Sequence, residues 1–213
     1  MKLVVIGATG YVGSAILNEA LQRNHDVTAI VRDPEKLTPH PRLHAGSSDV
    51  FNERELAEII KRHQAVISAF NAGWKNPDLY NQQLQGTRAI INGVKKAGLS
   101  RLLFVGGSGS LEISPGLQSV DSPSFPEEYK PGALAMRDAL RMLEGETALD
   151  WTVLSPSADL VPGQRTGRFR MGENELLRDA NGESRISLQD FAMAMLDEVE
   201  QPHHLRRRFT VGY

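Results

Sequence analysis

The sequence contains no cysteine, which excludes disulfides, thiolate metal ligands and a cysteine nucleophile. No run approaches the roughly 18 apolar residues that a membrane span needs. The apolar stretch at residues 3–6 is too short for a secretory core and lacks a small-residue cleavage site. An excess of one charge is missing too: 24 basic against 26 acidic side chains leave a net charge of −2. That balance gives no bulk attraction to nucleic acid or an anionic membrane. A helical histidine pair for zinc is also absent, because Pro41 separates His40 from His44. The run from His203 to Arg208 reads as a solvated turn before a last strand. The expectation is a cytoplasmic protein with a small-molecule partner and neither nucleic-acid nor membrane partner. No pattern fixes its oligomeric state. The 213 residues, 40% of them hydrophobic, suit one domain with a sizeable core.

Strand-length apolar runs alternate with helix-length amphipathic stretches. Strands are expected at residues 3–6, 27–31, 43–49, 65–69, 102–105 and 151–154, with helices at 11–22, 53–62, within 77–97, and at 131–143. A strand at 168–171, a helix at 188–199 and a strand at 209–211 follow. This alternation predicts the α/β class: one doubly wound parallel sheet of Rossmann type with helices on both faces, spanning residues 1–213. Residues 107–132 are rich in Ser, Pro and Gly and long for a loop, as expected of an active-site loop.

The most informative segment runs from Gly7 through Thr9, Gly10, Tyr11 and Val12 to Gly13, directly after a buried strand and at the opening of a helix. Gly7 permits a tight turn, Gly10 lets backbone amides approach a pyrophosphate, and Gly13 allows close packing of helix on strand. The positive end of the helix dipole favours the phosphates. A Walker loop is excluded because no Gly-Lys-Ser/Thr follows. After the second strand come Arg32, Asp33 and Lys36. The two cations suit the 2′-phosphate of NADP(H), so NADP(H) is preferred over NAD(H), while Asp33 suits the bare ribose of NAD. Asp49 and Val50 stand where the adenine edge is met, although Asp49 equally suits the cap of the next helix. Ala69, Phe70 and Asn71 end the fourth strand as a cofactor wall. Phe125, Pro126, Tyr129 and Trp74 either cover a flat aromatic substrate or pack their own loops.

With GATGYVG at the N-terminus, VRD after the second strand, Ser-Asp-Val at residues 48–50, VGGS at 105–108 and DWTVLSP at 150–156, the chain resembles the atypical short-chain dehydrogenases/reductases. Within them it is similar to the group described as NADH-flavin reductases, related to NmrA-like proteins and to the biliverdin reductase B/flavin reductase family. The resemblance implies pyrophosphate contacts from Gly7, Thr9, Gly10, Tyr11, Val12 and Gly13, 2′-phosphate contacts from Arg32 and Lys36, and adenine contacts from Asp49 and Val50. It implies that Ala69, Phe70 and Asn71 border the ribose and phosphates. It sets Ser108 beside the nicotinamide, as a catalytic serine or as loop material, and Pro156 near the carboxamide.

One departure is informative. Family members use Tyr-x-x-x-Lys, whose lysine lowers the tyrosine pKa for proton exchange with a carbonyl. Here Tyr129 is followed at that spacing by Ala133, and Lys130 is merely adjacent. Reduction of a flavin does not require that acid, since the cofactors carry the chemistry. The expected function is therefore hydride transfer from NADPH to an FMN-type flavin or a similar flat acceptor. Two alternatives stand beside it: an NmrA-like redox sensor without turnover, and an atypical epimerase/dehydratase or carbonyl reductase.

Overall fold

The structure is a computed structural model that describes all 213 residues, Met1–Tyr213. In chain order the elements are β1 (Lys2–Ile6), α1 (Tyr11–Gln22), β2 (Asp26–Val31), β3 (Leu43–Ser47), α2 (Glu53–Ile60), β4 (Ala65–Ser68), α3 (Leu79–Lys96), β5 (Arg101–Val105), β6 (Glu112–Ser114), β7 (Leu117–Gln118), α4 (Lys130–Glu144), β8 (Asp150–Ser155), β9 (Asp159–Val161), β10 (Arg170–Gly172), β11 (Arg185–Ser187), α5 (Leu188–Glu200) and β12 (Arg207–Gly212). Eight strands form the main sheet in the order β10-β12-β8-β5-β4-β1-β2-β3. All are parallel except β10, which runs antiparallel to β12.

Burial on both faces explains the continuous apolar runs. Along β1, Leu3 and Val5 enter one core cluster with Ile16 and Ala20 of α1 and Phe191 and Met195 of α5. Val4 and Ile6 enter the other, with Leu56 of α2, Ile90 of α3 and Leu143 of α4. The chain thus lays helices on both faces, as the alternation predicts. From β1 the order grows outward to β3, then restarts at β4 on the other side of β1. Such a reversal opens a crevice at the carboxyl edge, where ligands bind in this architecture.

Two small pairings carry no sequence signal: the antiparallel β6–β7 and the parallel β9–β11. The β6–β7 hairpin lies within residues 107–132, so that stretch is partly structured. No helix is long and apolar enough to cross a membrane.

Candidate functional site

At the end of β1, Gly7 has φ +78°, a conformation L side chains rarely adopt. Its amide donates to the Ile30 carbonyl at 3.0 Å, and the Gly10 amide closes the turn on the Gly7 carbonyl at 2.9 Å. A Cβ on Gly13 would stand 2.1 Å from the Gly7 carbonyl oxygen, and one on Gly7 2.7 Å from the Ala69 oxygen. Only bare backbone lets β1, α1 and the segment after β4 meet so closely. Gly10 differs: its Cβ would meet only the Gly7 oxygen, at 3.2 Å, and otherwise open space. It caps α1 without any side-chain acceptor. The first-turn amides, Tyr11, Val12 and Gly13 among them, have no intrahelical acceptor and remain for an anion. This cradle fits a dinucleotide pyrophosphate.

At the end of β2 the charges separate into two kinds. Asp33 accepts from the Glu35 amide at 3.3 Å and pairs with Lys36 at 3.2 Å. Arg32 is exposed and makes no ion pair. Of the expected phosphate ligands, Lys36 is engaged by Asp33 and Arg32 is free. Asp49 accepts from the Phe51 amide at 3.1 Å. The cap of α2 is Asn52, whose side chain accepts from the Glu55 amide at 3.3 Å, so Asp49 does not take that role. Val50 is half-buried beside it.

After β4, the Phe70 ring lies against the bare backbone of Gly86, where a Cβ would come within 2.2 Å, and meets Phe51 edge-on at 6.2 Å. Asn71 is exposed, its side-chain oxygen accepting from the Gly73 amide at 2.8 Å. The residue that holds this segment is Gln83, which the sequence reading did not single out. It is 1% exposed, accepts from the Ala72 amide at 3.0 Å and donates to the Phe70 carbonyl at 3.3 Å. Its signal was available: a lone amide in the stripe Leu79, Gln83, Gly86, Ile90, all buried at helical spacing.

After β5, Ser108 is half-buried at the start of a short turn. Gly107 and Gly109 rest on α4, with Cβ positions 3.2 Å from Met136 Cβ and 2.8 Å from Ala133 Cβ. Pro156 is buried directly after β8. Glycine turn, Arg32, Asp49, Phe70, Ser108 and Pro156 therefore all follow parallel strands at one edge of the sheet.

No tyrosine there is paired with lysine. Tyr11 donates to the Leu160 carbonyl at 3.1 Å. Tyr80 donates to Asp138 at 2.6 Å, and that bond holds its pKa above the usual value, opposite to what a proton-exchanging tyrosine needs. Beside Tyr129, Lys130 pairs with Glu127 at 2.9 Å, while Ala133 is packed on Gly109.

The model of a family described as NAD(P)H-binding matches residues 7–202. The chain belongs to the NAD(P)H-binding family. Proteins similar to it include a candidate epimerase of Bacteroides thetaiotaomicron, 48% identical with a TM-score of 0.93, covering 100% of this chain and 96% of that one. A candidate NADH-flavin reductase of Streptococcus pneumoniae is 35% identical, with a TM-score of 0.86 and coverage of 100% and 99%. The Bacillus subtilis protein YwnB is 41% identical over 214 residues, 99% of this chain and 98% of its own. The resemblance to atypical short-chain dehydrogenases/reductases and NmrA-like proteins is borne out, and with it the Rossmann architecture. The chain has the fold of an oxidoreductase that binds a nicotinamide dinucleotide.

Proposed function

We propose that this NAD(P)H-binding protein is an NADPH-dependent reductase whose acceptor is a flavin or a similarly flat ring. The observation that carries the acceptor class is the state of the four tyrosines: none of Tyr11, Tyr80 and Tyr129 is activated by lysine and Tyr213 donates to Asp190, so a carbonyl oxygen has no proton donor of the usual kind. When bound, the reduced dinucleotide supplies a hydride, with its two electrons, from nicotinamide C4 to flavin N5, and solvent supplies the proton at N1. The chain's part is to hold and orient. Tyr11, Val12 and Gly13 offer amides to the pyrophosphate, and Arg32 supports the choice of NADP(H) through its unpaired guanidinium. Asp49 and Val50 border the adenine, and Phe70 with Asn71 the ribose. Ser108 and Pro156 flank the reacting ring, where rate comes from proximity and orientation. The Streptococcus pneumoniae relative, a candidate NADH-flavin reductase, supports the same acceptor class. We place the reaction in the cytoplasm, where reduced dinucleotide is at hand.

The test is oxidation of NADPH by the purified protein with riboflavin, FMN or a quinone, beside NADH and acceptor-free controls. Flavin-dependent turnover, faster with NADPH, is the expected result. Saturable NADPH binding without turnover on any acceptor overturns the reductase reading in favour of a sensor. Isomerisation of a sugar nucleotide without net oxidation overturns it in favour of an epimerase.

A further inference from the structure

Trp74 is 60% exposed, yet its ring is fixed. A Cβ on Gly132 would come 2.5 Å from the indole Cζ3, so the ring lies directly on the backbone of the first turn of α4. Tyr129 meets the indole edge-on, with centroids 5.7 Å apart and planes at 84°. Beside the ring opens a pocket of about 240 Å³, whose lining includes Asp78, Tyr80, Glu128 and Pro131. Tyr80 is itself held by its bond to Asp138. Rigid aromatic surface kept open to water marks a place that something flat covers.

Charge narrows what that is. The charged groups of the lining are the carboxylates of Asp78 and Glu128; no lysine or arginine lines it, Lys75 included. Of the neighbouring cations, Lys130 is engaged by Glu127, Arg137 by Asp121 and Arg141 by Asp138, while Lys75 is exposed and lies outside the lining. The volume lies just under the roughly 300–1,000 Å³ of drug-sized sites, which suits a ring system whose tail stays in water. Position connects the pocket to the site above. Trp74 follows the segment Phe70 to Gly73, and Ala133, the residue after Gly132, packs on Gly109 beside Ser108.

We infer that this pocket is the acceptor subsite, and that it takes an uncharged flat heteroaromatic ring stacked on Trp74: a flavin without phosphate, with riboflavin as its representative, in preference to FMN. The use of the pocket in catalysis rests on the reductase reading; binding to it does not.

Tryptophan emission responds to a ring stacked on Trp74, and the second tryptophan, Trp151, 4% exposed, gives the background that the Trp74→Leu protein measures. The protein, with and without NADP⁺, is titrated with riboflavin and with FMN. Saturable quenching by riboflavin is expected, with FMN bound about tenfold more weakly at low salt through like-charge repulsion. The gap closes as salt is added, and Glu128→Gln narrows it. Trp74→Leu, with circular dichroism confirming the fold, abolishes riboflavin binding read from the flavin's own fluorescence, and Gly132→Ala weakens it by displacing the indole. Equal affinity for FMN at low salt, riboflavin binding unchanged in Trp74→Leu, or no saturable binding overturns the inference. Quenching at Trp74 with no NADPH oxidation keeps the subsite and overturns the reductase reading. Flavin reduction unaffected by Trp74→Leu does the reverse.

Discussion

Gly10 and Gly13 stand three residues apart and do unlike work. A methyl at Gly13 would overlap the Gly7 carbonyl, so its replacement attacks the β1–α1 packing itself. Gly10 has φ −76° and ψ 171°, which any residue adopts. Gly10→Val should therefore cost the fold only on the order of 1 kcal/mol while filling the space meant for a pyrophosphate. Loss of NADPH binding with a near-normal melting temperature is expected; unchanged affinity refutes the assignment. Arg32→Ala should weaken NADPH binding about tenfold or more, as a charge-assisted bond of roughly 1.5–3 kcal/mol implies, and leave NADH nearly untouched. Equal losses for both would mean that Arg32 does not read the phosphate. The glycine turn was legible in the sequence because its spacing is local. Which of Arg32 and Asp33 is left unengaged was not, because it depends on the side chain that the following turn and Lys36 occupy.

Helices and central strands were legible because burial imposes a period on them: residues 11–22 read as a helix and fold as α1. The β9–β11 pair was not, since each strand has three residues and gains its partner about 26 positions away, with Asp159 opposite Arg185. The strand expected at 168–171 forms at Arg170–Gly172 and runs antiparallel at the edge of a sheet expected to be parallel, its bounds set by pairing with β12. Within α3, Gln83 shows how an element shapes the site without touching a ligand. Gln83→Leu removes the acceptor for the Ala72 amide and the donor to the Phe70 carbonyl, and stranding such groups costs about 1–3 kcal/mol. The Michaelis constant for the dinucleotide should rise with little change in turnover at saturation. A loss confined to stability would show that the segment Phe70 to Ala72 does not border the cofactor.

Across the whole molecule, Glu198 joins parts remote in sequence. This carboxylate, 3% exposed, pairs with Arg101 of β5 at 3.0 Å and with His204 at 2.8 Å, and accepts from the amides of His203 and His204 before β12. Burial alone would raise its pKa, but the bonds from His204 and the two amides outweigh that and hold it below the usual value. A carboxylate lowered on folding stabilises above its unfolded pKa of about 4.3, and the contribution fades as pH falls through the folded value. Glu198→Gln should cost about 3–5 kcal/mol near neutrality and flatten the acid limb of stability in urea melts; an unchanged acid limb would remove Glu198 as its source. A different consequence follows from the sheet order, in which the candidate site collects the ends of β1, β2, β3, β4, β5 and β8. Residues from Gly7 to Pro156 meet only when the parallel strands are all in register, so no fragment holds the whole candidate site. Ligand occupancy and global folding are then a single linked equilibrium. A dinucleotide at a hundred times its dissociation constant adds about 2.7 kcal/mol to the stability of the whole chain, which makes the cell's pool of that dinucleotide a determinant of how much folded protein persists.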